Sequence, residues 1–418
     1  MSAPSLPIRR NTVLLAGLLA AVSGWLQLIV AVMTLTFVLV TGIEGLLGLG
    51  PALFLTAGGL AALPAGRAMD RFGRVPVLAA GCCLGIAGSA VTALGVHLLS
   101  GVAVVLGFTL AGAASGTLLL TRTAAGDMYP AARRARGIAY VLVGSVAGAI
   151  LGPFVFGPLF SGKHVEAAAL VVPWLASGGF LLVGLVLVLC VRPDPRRIAD
   201  LIAEQSEEEE EDEPVAPAAP LRVLLRRPGV ARALVAGVAS FSVMASVMNL
   251  TGYVVVGHGH QHQAVFPILA AHVLGMFGLV LVVGNLIDRI GRALSIGGGL
   301  LVMSVSVVSL LWIESVPATA LALFGLGLGW NFSFVAATAD LADRTASVER
   351  GKVLGLNDLL SSLLAAGLAL LGGYALSLVG VAALAIGGTA IVAVPALFIL
   401  RRRGRPAVPA PAATLRSR

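Results

Sequence analysis

Charged residues are scarce in this chain of 418 residues, at 11%, whereas 58% of the residues are hydrophobic. A soluble domain carries about 25% charged residues, so the composition excludes an ordinary soluble globular enzyme. It also excludes a disordered chain, because such chains are poor in apolar residues. Cysteine is scarce as well: Cys82, Cys83 and Cys190 form neither a disulfide framework nor a thiolate metal site of familiar spacing.

Sequence motifs of enzymes are missing too. The chain has no phosphate-binding GxxxxGK[ST] motif, no HExxH zinc motif and no pair of carboxylates within its apolar runs. ATP-driven transport and intramembrane hydrolysis are therefore unsupported. We predict that the protein is not an enzyme and holds no permanently bound cofactor.

Long apolar runs recur along the whole chain. A bilayer-spanning helix needs about 20 mostly apolar residues, and the first run is too long for the apolar region of a signal peptide. The runs predict an all-α protein of the lipid bilayer with twelve transmembrane helices, six in each half. They lie near residues 12–40, 46–65, 75–96, 100–120, 137–159 and 168–191, then 229–256, 264–283, 293–313, 316–338, 353–377 and 379–400.

Arginine and lysine concentrate in every second loop and near both termini, and the alternate loops hold a single basic residue, Lys163. Basic residues stay in cytoplasmic loops. The pattern therefore predicts a multi-pass protein of the plasma (inner) membrane with both termini in the cytoplasm. The net charge of +8 is then a signal of topology, and we expect no nucleic-acid partner.

A polar segment separates the two apolar halves. Its prolines and its unbroken acidic run predict a flexible, solvated cytoplasmic linker, because neighbouring like charges repel. The end of the chain is rich in proline and alanine and is expected to be disordered. We therefore divide the chain into a first six-helix bundle (1–191), an acidic and proline-rich linker (192–228), a second six-helix bundle (229–403) and a cytoplasmic tail (404–418).

The two halves also share a motif, GxxxDRxGR, after the second and the eighth span. Its aspartate can cap a helix or pair with an arginine, its arginines hold a turn at the cytoplasmic side, and its glycines permit close approach to a neighbouring helix. One copy is a weak signal, whereas two copies at equivalent places indicate an internal repeat. The motif residues are Gly66, Asp70, Arg71, Gly73 and Arg74 in the first copy, and Gly284, Asp288, Arg289, Gly291 and Arg292 in the second.

This repeat resembles the major facilitator superfamily, and the resemblance covers nearly the whole chain. It implies two six-helix bundles with a substrate site between them near the midplane, and transport by alternating access. It further implies that the motif residues control conformation, and that a monomer suffices. In the fifth span, Gly148, Gly152 and Pro153 resemble a glycine-proline motif of proton-coupled antiporters. Close helix packing is the alternative, and we favour it.

Two pairs of soft or borderline donors stand in the seventh and eighth spans. Met244 and Met248 lie four residues apart, as do His272 and Met276, so each pair shares a helix face. Thioether and imidazole ligands suit copper. Methionine is also a flexible filler of cores, so packing remains the alternative for the methionines. A histidine within a span is costly and usually faces a cavity.

These pairs resemble the CcoA-type copper importers, the CalT branch of the superfamily. Three further stretches of sequence also resemble that branch: Ala271–Phe277, Gly327–Phe332 and Gly355–Asp358. The resemblance implies that Met244, Met248, His272 and Met276 bind copper as transported substrate. It implies import of a copper ion or a small copper complex for assembly of a haem-copper oxidase, with copper chaperones as candidate partners.

Other candidates lie near this cluster. His258, His260 and His262 alternate in a loop predicted to face outside, where they could collect copper, although loop histidines are more often solvated. In the eleventh span Asp358 could accept a coupling proton or bond to Asn331 or Asn357. We expect Arg122 and Asp127 to form a charge network at the cytoplasmic end of the fourth span.

Two other functions compete with copper import. One is transport of a small organic solute, either by a proton-coupled efflux antiporter of the drug type or by an uptake carrier of the flavin type. The other is a membrane receptor or assembly factor that binds copper without moving it. Dependence of transport on Met248 and His272 separates the first from copper import, and accumulation inside vesicles separates the second.

Overall fold

The computed structural model describes residues 7–130, 133–160, 166–207 and 219–401, and these residues form helices joined by short turns. The sequence favours helices because a span in lipid must satisfy every backbone polar group internally. The α-helices of this part of the chain are α1 (Ile8–Thr41), α2 (Leu49–Phe72), α3 (Arg74–His97), α4 (Gly101–Leu118), α5 (Thr121–Asp127), α6 (Arg134–Phe160), α7 (Val171–Leu189), α8 (Pro195–Glu207), α9 (Leu221–Arg226), α10 (Val230–Gly257), α11 (Val265–Phe277), α12 (Val280–Ile290), α13 (Arg292–Ser309), α14 (Val316–Asp343), α15 (Ser347–Val379) and α16 (Val381–Arg401).

The predicted all-α membrane fold is confirmed. Eleven helices of the described residues are long and apolar enough to cross a membrane. The twelfth span is a bent pair, in which α11 and α12 meet at 47°. The second span was predicted near residues 46–65, and α2 continues beyond it to Phe72, so that most of the first motif lies within a helix.

Helices α1–α7 form one bundle and α10–α16 form the other. The bundles meet where α1 packs on α10, α2 on α15, and α6 on α11. The N-termini of α1 and α10, the linker helices and both motifs lie at one end of the molecule, here called the motif end. The other end is called the opposite end.

The tightest contacts between the bundles lie away from the motif end. A Cβ at Gly48, just before α2, would overlap the backbone carbonyl of Ala369 in α15. The hydroxyl of Thr34 donates to the carbonyl of Asn249 at 3.4 Å, which joins α1 to α10. The molecule is therefore closed between its bundles at the opposite end.

The linker is partly helical, so the expectation of a flexible linker is wrong for α8 and α9. Asp194 explains why the chain turns into α8: its carboxylate accepts from the backbone N–H groups of Arg74 at 3.1 Å, Val75 at 2.8 Å and Arg196 at 2.8 Å. One side chain thus caps both α3 and α8. The acidic residues beyond Glu207 and the tail 404–418 lie outside the described residues.

Glycines of α6 let it lie against α1. A Cβ at Gly148 would overlap the carbonyl oxygen of Ala20, and a Cβ at Gly152 would stand 2.6 Å from Oε1 of Gln27. The helix is continuous through Pro153. This geometry supports the packing interpretation of the fifth-span motif, since both glycines lie where α1 leaves no room for a side chain.

Candidate functional site

The first motif ends α2 and begins α3 through a network around Arg74. Gly73 adopts a φ of +97°, which favours glycine, and it separates the two helices. The Arg74 guanidinium donates to Asp127 at 2.8 Å and to Asp70 at 3.0 Å. Arg71 is exposed, and its carbonyl accepts from Arg196 at 3.1 Å. The motif therefore ties α2, α3, α5 and α8 together at one point.

The second motif repeats this geometry at the junction of α12 and α13. Gly291 has a φ of +90°, and Arg292 donates to Asp288 at 2.7 Å and to Asp343 at 3.2 Å. Arg289 is exposed. The resemblance of the two networks accounts for the repeated sequence.

The first glycine of each motif does not have the predicted role. A Cβ at Gly66 or at Gly284 would have no neighbour within 4 Å among the described residues, so neither glycine serves close helix approach here. The expected network between Arg122 and Asp127 is also wrong. Asp127 pairs with Arg74 instead, because the end of α5 lies against the start of α3.

The proposed copper ligands lie in the second bundle. Met244 is buried in α10 and Met248 is half-buried one turn further. His272 is fully buried in α11, where its Nδ1 donates to the carbonyl of Leu323 in α14 at 2.8 Å. Its Nε2 is buried and has no hydrogen-bond partner among the described residues. Met276 follows one turn later and is buried beside α14.

The three loop histidines do not converge. His258 is exposed, the Nε2 of His260 bonds to the carbonyl of Glu314 at 2.6 Å, and His262 is buried with its ring stacked 5.8 Å from that of Phe160. Within the described ranges, no three histidine, cysteine or acidic side chains are grouped so that they could hold a metal. A site formed by all three histidines is therefore wrong, because His258 and His260 line one small pocket beside Glu314 whereas His262 packs on Phe160.

Asp358 forms an ion pair between the bundles. Its Oδ2 lies 3.5 Å from a guanidinium nitrogen of Arg122 in α5, and both side chains are partly exposed. Asn357, and not Asn331, donates to the Asp358 carboxylate, at 3.4 Å. Among the ion pairs of the described residues, this one joins the first bundle to the second.

Four aromatic rings form a cluster that sequence reasoning did not identify as a site. Trp330 and Phe334 of α14 stack with ring centroids 5.2 Å apart. Phe277 of α11 meets Trp330 edge-on at 5.9 Å, and Phe241 of α10 lies 5.8 Å from Phe334. The spacing of Trp330 and Phe334 was a usable signal for a shared helix face. The other two rings are brought to that face only by tertiary packing. Phe241, Phe277, Trp330 and Phe334 are called the aromatic cluster below.

Comparison with known proteins identifies the relatives of this chain. The family model of the Major Facilitator Superfamily matches residues 13–363. The uncharacterised MFS-type transporter YdeG of Bacillus subtilis is 30% identical over 79% of this chain and 77% of its own length. The riboflavin transporter RfnT of Brucella anthropi is 31% identical over 74% of each chain. These relatives do not support the CcoA-type branch.

Solved structures confirm the architecture. The inward-open form of the xylose transporter XylE from E. coli aligns over 94% of this chain and 96% of its own, with a TM-score of 0.72 and 15% sequence identity. At that identity the likeness shows the fold alone. The family model and the relatives go further, and this chain belongs to the Major Facilitator Superfamily of membrane transporters.

Proposed function

We propose that this chain takes up a small organic solute of the flavin type by alternating access. The observation that carries the proposal is the identity of 31% with a riboflavin transporter over 74% of both chains. The aromatic cluster supports it, because stacked rings at the middle of a bundle suit a flat organic cargo. The basic motif end is proposed to face the cytoplasm, so that the closed opposite end faces outside.

Uptake of labelled riboflavin tests this proposal. The host lacks both flavin synthesis and its own flavin carrier. One strain expresses the protein, and a control strain carries the empty vector. We expect label to accumulate above the vector control and to be displaced by excess unlabelled riboflavin. Accumulation equal to the vector control, with the protein present in the membrane, would remove flavins as the cargo.

Copper import is the second candidate, and one observation favours it. A metal-binding histidine usually donates its other ring nitrogen to a carbonyl, which fixes the ring for the metal. His272 has this arrangement, with Nδ1 bound to Leu323 and a buried, unpartnered Nε2 among the described residues. In this proposal His272 and Met276 in α11, with Met244 and Met248 in α10, bind copper as cargo, and Cu(I) is the form that thioethers select.

Copper accumulation in a copper-limited host tests this second candidate. The wild type is compared with the double variant Met248→Leu/His272→Leu, and Met33→Leu is a matched control in the core of the first bundle. We expect the double variant alone to lose accumulation. Equal accumulation in the wild type and the double variant would show that these residues pack the core and do not bind the cargo. Reconstituted vesicles separate a carrier from a receptor, because a receptor accumulates no copper inside.

A further inference from the structure

The aromatic cluster lies where α10 and α11 pack on α14 in the second bundle. Helices α10 and α11 each pack along α14 but make little contact with each other. Helix α1 of the first bundle packs against both α10 and α11. The cluster therefore lies on the part of α14 between α10 and α11, in the bundle region that α1 of the first bundle packs against.

The cluster also lies near the middle of the helices that carry it. Trp330 is close to the midpoint of α14 (Val316–Asp343), and Phe241 is close to the midpoint of α10 (Val230–Gly257). Phe277 is the last residue of α11, at the 47° bend that breaks the eighth span. In many secondary transporters, broken helices near mid-depth help to form the substrate site, because unwound backbone there needs partners other than its own helix.

Two adjacent donors on α14 have no acceptor. Trp330 is 7% exposed and Asn331 is 1% exposed. The indole Nε1 and the amide Nδ2 are both buried without a hydrogen-bond partner in the part of the chain that the structure describes. Leaving a buried donor unpaired is costly, so a native protein usually has a use for it. An acceptor on a bound ligand would satisfy these groups.

The geometry points to a binding subsite for the planar heteroaromatic ring system of the cargo, and this inference rests on the proposed uptake of an organic solute. The ring system stacks against the aromatic cluster, and an acceptor on its edge, a carbonyl oxygen or a ring nitrogen, accepts from the Trp330 indole. Aromatic groups prefer offset or edge-on contacts with centroids about 4.5–7 Å apart, which is the spacing within the cluster. Trp330 is thus a specificity-determining residue for flat, acceptor-edged cargo.

Tryptophan fluorescence can report this subsite directly. The chain has four tryptophans. Trp25 and Trp174 are buried in the first bundle, where their indole N–H groups donate to Ser89 and Thr36 at 3.0 Å, and Trp312 is exposed near the opposite end. A flat ligand stacked against the aromatic cluster should quench Trp330 most strongly, because that indole is in direct contact with it.

The experiment titrates the purified protein in detergent with riboflavin, with lumichrome, which keeps the tricyclic ring without the sugar chain, and with ribitol, which is the sugar chain alone. The variants are Trp330→Phe, Trp330→Ala and the matched control Trp312→Phe. We expect riboflavin and lumichrome, but not ribitol, to bind the wild type and Trp312→Phe equally. Trp330→Phe should lose most of the quenching, and flavin fluorescence should show binding about fivefold weaker, as for one lost hydrogen bond. Trp330→Ala should bind at least tenfold more weakly.

Other outcomes separate the subsite from the proposed function. Unchanged affinity of Trp330→Ala for riboflavin would overturn the subsite and leave flavin uptake standing. Binding of ribitol as tight as that of lumichrome would overturn recognition of the ring. Riboflavin uptake in cells without lumichrome binding would overturn the subsite alone, whereas absence of both uptake and binding would overturn the subsite and the proposed function together.

Discussion

The last arginine of each repeated motif pairs with an aspartate outside the motif, and the loss of these two aspartates should destabilise the protein by different amounts. Asp127 pairs with Arg74, and their side chains are 16% and 13% exposed. Asp343 pairs with Arg292, and these side chains are 58% and 31% exposed. Replacing each aspartate by asparagine keeps the shape and removes the charge, so the two variants differ mainly in how much water surrounds the arginine left behind.

The burial of each ion pair determines how much stability its loss should cost. A buried hydrogen bond to a charged group contributes about 2 kcal/mol, so Asp127→Asn should lower the ratio of folded to unfolded protein about 30-fold. An exposed ion pair contributes about 0.5 kcal/mol, so Asp343→Asn should lower the same ratio only about twofold.

Titration of the purified variants in dodecyl maltoside with sodium dodecyl sulfate measures this difference. Loss of helical circular dichroism reports unfolding, and the wild type is titrated beside both variants. We expect the midpoint to move clearly for Asp127→Asn and barely for Asp343→Asn. Equal shifts for the two variants would show that burial does not govern the strength of these networks, and the reasoning would fail.

Three further predictions test packing, capping and the contact between the bundles. Gly148→Ala should lower the yield of folded protein in the membrane and its thermal stability by several degrees, because the new Cβ overlaps α1. Asp194→Ala should lower the free energy of unfolding by about 1–2 kcal/mol through loss of helix capping, whereas Asp200→Ala on exposed α8 surface should change it little. Arg122→Gln or Asp358→Asn should change that free energy by less than about 1 kcal/mol yet slow cargo uptake, and exchanging the two charges should restore part of the rate.

Each of these predictions has a result that would contradict it. Gly157→Ala is the control for packing, since a Cβ there has no neighbour within 4 Å among the described residues, and equal loss in both glycine variants would refute the role of close approach. Equal effects of Asp194→Ala and Asp200→Ala would refute capping. Full uptake by both single variants of the pair between the bundles would show that this pair does not take part in transport.

The candidate site was only partly visible in the sequence. A separation of four positions predicted that His272 and Met276 share one helix face, and both are buried in α11. Sequence spacing said nothing of Leu323, whose carbonyl binds the imidazole from another helix. Ion-pair partners were equally hidden, because Arg74 meets Asp127 and Arg122 meets Asp358 only once helices distant along the chain are packed. Helix α8 does have a signal in the sequence: the apolar residues Ile198 and Ile202 are four positions apart among charged neighbours, which is typical of an amphipathic helix.

What the sequence determined by itself is the set of spans and the internal repeat. Apolar length is a local property, and the cost of an unsatisfied backbone in lipid leaves a helix as the only outcome for each run. The turn at the second glycine of each motif is a local property too, because Gly73 and Gly291 adopt positive φ values that favour glycine. Tertiary structure alone decided which arginine meets which aspartate, where the loop histidines turn, and how rings from three helices form one cluster. Those features depend on distances between segments far apart in the chain, and such distances are set by the close packing of whole helices.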